Sequence, residues 1–109
     1  MKILVKKSPR IFKVGKLSIM DCGKIYLKKN EQITFITDNK ASHDVTRKDW
    51  GFYATQSTNS RLKKNFKTAL VANKFNKIYV MLVEKKKYNS FKKYCKEHKQ
   101  EVLIWLDEI

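Results

Sequence analysis

Two apolar runs lie only four residues apart, FKTALVA (66–72) and KIYVMLVE (77–84), and they constrain this chain most. Both are rich in residues that favour strands, and a short Asn73–Asn76 connection makes them an antiparallel hairpin. In the second run Ile78, Val80 and Leu82 point one way and Tyr79, Met81 and Val83 the other. A strand apolar on both faces is expected to be central and covered on both sides. The period then changes. In KKKYNSFKKYCKEHK (85–99), Tyr88, Phe91, Tyr94, Cys95 and His98 recur at helical spacing, with Lys85, Lys92, Lys93 and Lys96 on the opposite side. This predicts one long amphipathic helix over 85–99. EVLIWLDE (101–108) is expected to close the chain as a further strand.

Upstream the pattern is also β. Strands are predicted at 2–6, 11–14, around the turn Asp21-Cys22-Gly23, and over EQITFIT (31–37), with DNKASHD (38–44) as a polar loop. DWGFYAT (49–55) reads as an aromatic strand. A short helix is expected near 57–65, with Ser57 or Thr58 as its cap. The fold class is therefore α+β: a mostly antiparallel twisted sheet, β-rich in its first half, in a single domain spanning 1–109. From residue 49 the order strand, short helix, strand, strand, helix, strand also fits a ferredoxin-like βαββαβ arrangement. The alternative is one antiparallel sheet with a single helix packed across it.

Charge bounds the partners. There are 25 basic and 10 acidic residues, a net charge of +15, and such chains attract nucleic acid and other polyanions. Only Arg10, Arg47 and Arg61 are arginines; the rest are lysines, which an AT-rich genome also supplies. Residues 60–100 carry +11, and the three lysines Lys85–Lys87 oppose the helix dipole. Cys22 and Cys95 have no partner at metal or redox spacing and read as free thiols of a reducing cytosol, with a single Cys22–Cys95 disulfide left open. The longest apolar run near the N-terminus is too short for a signal peptide, and no run reaches the length of a membrane span. A cytoplasmic protein is expected, with its oligomeric state open.

Enzyme signatures are missing: no glycine-rich phosphate loop, no His-Glu-x-x-His, no Gly-x-Ser-x-Gly and no metal-spaced Cys/His set. A non-catalytic protein without metal or cofactor is expected. The densest cluster of polar and aromatic chemistry lies in 43–61. His43 and Arg47 precede Trp50 and Tyr53, and Ser57, Thr58 and Ser60 lead to Arg61. One reading pairs Asp44 and Asp49 with Arg47 and Lys48 and sends the aromatics into the core. The other makes Trp50 and Tyr53 a platform beside an anion site built by Ser57, Thr58, Ser60 and Arg61 at a helix start.

The stretch DVTRKDWGFYATQSTNSRLKKNFKTALVANKFNKIYVMLVE, with the closing WLDE, resembles a group of small uncharacterised bacterial proteins of about this length. The sharpest part is TRKDWGFYAT followed by Asn-x-Arg-Leu. That group tends to carry Pro after the Tyr-Ala-Thr and Gly after the Asn; Gln56 and Ser60 stand there in this chain. Such proteins are often encoded near surface-polysaccharide genes. The resemblance implies an accessory role in making sugar polymers, through a phosphorylated sugar or nucleotide-type ligand or a partner enzyme. The other reading is a nucleic-acid binder that uses the lysine-rich helix face, Lys85, Lys92, Lys93 and Lys96.

Overall fold

Alternating apolar residues with few prolines and glycines give eight strands and one α-helix in a computed structural model that describes all 109 residues. β1 (Lys2–Val14) and β2 (Leu17–Tyr26) form a long antiparallel hairpin. Its two-residue turn is Gly15-Lys16, where Gly15 takes φ +61°, a left-handed value that a tight hairpin turn demands. The expected turn at Asp21-Cys22-Gly23 instead lies within β2, opposite a bulge formed by residues 6–9 of β1. Pro9 sits in that bulge, where its missing N–H costs no ladder bond. Gly23 allows the strands to approach: a Cβ there would lie 1.9 Å from the Leu4 carbonyl oxygen. Lys6 Nζ reaches Asp21 at 2.9 Å and Arg10 Nε at 3.7 Å. The Lys6 hydrogen bond, aided by the Gly23 N–H, holds the Asp21 carboxyl below the usual carboxylate range.

β3 (Gln32–Ile36), β4 (Ser42–Lys48) and β5 (Gly51–Ala54) make a second antiparallel sheet in the order β3-β4-β5. The expected polar loop 38–44 is thus cut short, because a strand begins at Ser42. Its polar side chains find cross-strand partners that a sequence pattern does not reveal: Thr34 Oγ1 donates to Asp44 at 2.6 Å, and Thr46 bonds Gln32 and Thr55.

β6 (Phe66–Ala72), β7 (Ile78–Glu84) and β8 (Glu101–Trp105) form a third antiparallel sheet in the order β7-β6-β8. The central strand is therefore β6, and β7 is an edge. Ile78 and Val80, expected under cover, are 60% and 65% exposed. The helix α1 (Tyr88–Glu97) lies on the other face, over Ala69 and Val71, which are fully buried. Its stripe packs as its spacing predicts: Tyr88 and Phe91 stand 5.9 Å from Trp105, Cys95 is buried, and Tyr94 meets His98. On the opposite face, Phe66 and Leu82 close on Leu62 and on Ala41 from the β3–β4 loop, the one core that joins two sheets.

The mostly antiparallel α+β class holds, with four corrections of detail. One sheet becomes three. The predicted long helix is ten residues preceded by a separate 3-10 turn, Lys85–Lys87, because three adjacent cations at a helix start weaken its first turn. The predicted helix near 57–65 shrinks to a 3-10 turn, Leu62–Lys64, without a side-chain cap. The ferredoxin-like arrangement does not form, since β5 pairs with β4 and never joins β6–β8.

Candidate functional site

An antiparallel hairpin brings its outer ends together. Phe66 is paired with Glu84, so the segments before β6 and after β7 leave the sheet side by side. Each is a lysine-rich 3-10 turn, Leu62–Lys64 and Lys85–Lys87. The Lys85 N–H donates to the Asn65 carbonyl at 3.0 Å and ties the two together. Leu62, 2% exposed, pins the first turn to the core. A third wall comes from the β3–β4 loop: Ala41 packs on Leu62, and Asn39 Nδ2 donates to Glu84 Oε2 at 2.8 Å.

These walls enclose a notch of about 140 Å³ lined by Lys64, Lys85, Lys86, Asn39, Asn65 and Glu84, with Ala41 at its base. The Thr37 hydroxyl and the Asn39 amide hold the Glu84 carboxyl below its ordinary range, with Lys87 and Lys86 adding their charge. Glu84 therefore stays ionised at neutral pH and works as an anchor for Asn39 and Thr37. Three ammonium groups against one carboxylate leave the notch cationic, and two side-chain amides add neutral donors. Such a set holds a phosphate as point charges. A side chain poised to exchange a proton near neutrality is not among them.

Beside the notch runs an apolar groove of about 440 Å³ between the β7 edge and α1, lined by Phe66, Met81, Leu82, Val83, Phe91 and Tyr94. Glu84 belongs to both walls, so the cationic notch opens beside the apolar groove.

The residues singled out in 43–61 are placed differently from one another, and none of them lines the notch, the groove or the other three main clefts. His43 and Arg47 share one face of the second sheet with Phe35 and Phe52, their cross-strand partners. Tyr53 is on the opposite face, paired with Thr46, and stacks on Trp50 at 6.0 Å. Trp50 sits in the β4–β5 turn at 70% exposure and Phe52 at 59%, so the aromatics do not fill the core. Asp44 accepts from Thr34, and neither it nor Asp49 is ion-paired. The Arg47 guanidinium donates to the Lys48 carbonyl. Ser57 Oγ bonds Asn59, and the Ser60 and Leu62 N–H groups both donate to the Ser57 carbonyl. A tight turn has consumed the donors that a helix start would have offered. Thr58 is half-buried, and Ser60 and Arg61 are exposed without an ion pair.

Of the four helix lysines, only Lys85 reaches the notch. Lys92 lies over the Tyr88 ring at 5.2 Å, Lys93 stands 4.0 Å from Glu97, and Lys96 is exposed. Sequence reasoning missed Lys64, Lys86, Asn39 and Asn65. A signal for the lysines was present: Lys63-Lys64 and Lys85–Lys87 flank the two outer ends of one hairpin, which pairing must bring together.

Both cysteines are free, Cys22 exposed and Cys95 buried, and burial pushes the Cys95 thiol up. No group of three His, Cys, Asp or Glu side chains is placed to hold a metal ion. No helix is long and apolar enough to cross a membrane. Comparison with family models, curated proteins and solved structures finds no match to this chain.

Proposed function

We propose that this chain is a non-catalytic binding protein for a phosphorylated ligand with an aromatic or apolar body, of the nucleotide or nucleotide-sugar class. The observation that carries the reading is the shared Glu84 wall: a lysine notch of phosphate size opens directly beside an apolar groove bearing Phe91 and Tyr94. The phosphate sits among Lys64, Lys85 and Lys86, and the base lies along the groove. The surface-polysaccharide setting implied by the resemblance is one in which nucleotide sugars are common ligands. The site is moved from 43–61 to 39–41, 64–65 and 84–94.

An NMR titration with pyrophosphate, UDP and a UDP-sugar tests this. Pyrophosphate is expected to shift residues 64–65 and 84–87, and the two nucleotides to shift 81–83, 91 and 94 as well. Replacing Lys64 and Lys85 together by Ala is expected to weaken UDP binding by about tenfold or more. If millimolar UDP leaves these residues unmoved, the reading is wrong.

A second reading has its own observation. Phe35 and Phe52 are exposed on the sheet face that also carries His43 and Arg47. Bases of a single strand stack on such rings beside a guanidinium. This moves nucleic-acid binding from the helix lysines to the second sheet. A twelve-nucleotide oligothymidine would then perturb residues 35 and 52, and its affinity would fall steeply with salt. Shifts confined to the notch favour the first reading.

A further inference from the structure

The β1–β2 hairpin stands apart from the rest of the chain. A two-stranded hairpin alone is marginal in water. Its strands make no extended contact with β6, β7 or β8. It is held at its ends, where the Met1 ammonium meets Glu31 at 3.1 Å and Gly15 lies against His98. The radius of gyration, 15.5 Å, exceeds the roughly 13 Å expected of a compact chain this long. Only nine residues of 109 are buried.

Pairing and alternation define one apolar face of the hairpin. Ile3, Val5, Val14, Leu17, Ile19 and Ile25 share it. The charges among them are Arg10 and Asp21, which face each other and are paired. The third sheet has a second open apolar face, opposite α1, where Leu70, Ile78, Val80 and Ile104 share a side. Its charges are the carboxylates at its two ends, Glu84 at the notch and Glu101 beside Ala72 and Ile78, and it carries no lysine or arginine. A chain of net charge +15 thus keeps two separate faces free of unpaired basic groups. A nucleic acid or an acidic partner would find nothing to pair with on either.

We propose that the two faces cover each other between two copies of this chain, with the hairpin of each copy lying across the open face of its partner's third sheet. One two-fold axis satisfies both contacts twice, so the assembly closes as a dimer. The fit is quantitative. Six hairpin side chains and Ile78, Val80 and Ile104 carry exposed fractions equal to about 4.7 whole residues. At about 170 Å² each, this is roughly 800 Å² per copy, the amount a standard stable interface removes from each partner. The hairpin cannot make this contact at home, because its tip is fixed at the end of α1, on the other side of the sheet.

The test needs no ligand: light scattering and analytical ultracentrifugation of the full chain at about 1–100 μM, with Ile19→Lys and Val80→Lys made separately. Both side chains are exposed in the single copy, so each variant is expected to keep its folded NMR dispersion. The wild type is expected at twice 13.0 kDa. Each variant is expected to dissociate, with self-association weakened by about 100-fold, because each buries a charge in an apolar contact. Should either variant fail to fold, Ile19→Cys mixed with Val80→Cys on a Cys22→Ser background is expected to form an intermolecular disulfide in the folded wild-type-like dimer. A wild type that is monomeric at 100 μM overturns the proposal. So does a dimer lost only with Ile19→Lys, which would mean hairpin on hairpin. A monomer that binds anionic phosphatidylglycerol vesicles through residues 3–25 also overturns it, and assigns the hairpin face to a lipid surface.

Discussion

Leu62→Ala tests whether the 3-10 turn before β6 is what joins the second and third sheets. Leu62 is 2% exposed and packs on Ala41, Phe66 and Leu82. Truncation removes three buried carbons, about 2.4 kcal/mol of transfer free energy at about 0.8 kcal/mol per methylene. The cavity left between the sheets adds to this, since Phe66 sits on β6 and Ala41 in the β3–β4 loop, and the two cannot both close inward. The expected total is about 3–4 kcal/mol. A chain of this length has about 5–15 kcal/mol of stability in all, so the variant stays folded but loses much of its margin. Urea unfolding at fixed protein concentration, followed by circular dichroism, is the assay. With a slope of about 1.5 kcal/mol/M, the midpoint is expected to fall by about 2 M. Because Leu62 also positions Lys64, phosphate-ligand affinity should fall in the same variant under native conditions. A midpoint shift below about 0.5 M with an unchanged slope refutes the reasoning: Leu62 would then not be the joint.

Trp50→Ala is expected to cost less than about 1 kcal/mol, since the ring is 70% exposed and touches mainly Tyr53, whereas Trp105→Ala should cost about 3 kcal/mol through lost packing on Tyr88 and Phe91; equal costs would mean that the turn at 49–50 is packed. Ellman's reagent should label Cys22 at once and Cys95 only as the chain unfolds, because Cys95 is buried with its thiol pushed up; two fast thiols in native buffer would contradict the α1 packing. The Asp21, Glu31 and Glu84 carboxyls all sit below their ordinary values of 3.8 and 4.5 in the folded chain. The unfolded chain therefore takes up these protons first as pH falls, so stability should be level from pH 7 to about 5 and drop below about 4. Stability that rises on acidification would reverse the sign of these interactions.

The third sheet was the most legible part of the sequence. The hairpin's strands and loop fall within one residue of the pattern, because Phe66–Ala72 and Ile78–Glu84 are both continuous and apolar, whereas the strand expected over 101–108 stops at Trp105 and gives way to a 3-10 turn. What the pattern could not give was position. An apolar run on both faces implies cover, and α1 covers only one side of β7, so Ile78 and Val80 read as core yet stand open. The second sheet was half legible for the opposite reason. β4 carries one aliphatic residue, Val45, and is held by Thr34–Asp44 and Thr46–Gln32 contacts that depend on register. The cluster at 43–61 looked like a site because its side chains are adjacent in sequence. Strand alternation sends Arg47 and Tyr53 to opposite faces, and only the pairing of β4 with β5 reveals it. The notch was hidden in the converse way, Lys64 lying far in sequence from Lys85 and Lys86 and joined to them by a hairpin.

The start of α1 ties this notch to the helix. Lys85, Lys86 and Lys87 precede the first turn, which has no acidic residue and no side-chain cap. Each cation near that end opposes the dipole by about 0.3–1 kcal/mol at low salt. The local sequence alone would disfavour a helix here. What holds it is tertiary: the Lys85–Asn65 hydrogen bond, and Tyr88, Phe91 and Cys95 seated on the third sheet. An anion in the notch removes the conflict, since it sits among the same lysines near the helix start and satisfies charge that the chain leaves unmatched. Binding energy and helix stability then become one quantity, because the unfolded chain has no notch to fill. If an anion fills the notch as proposed, the same lysines that are costly to the empty fold become favourable to the occupied one.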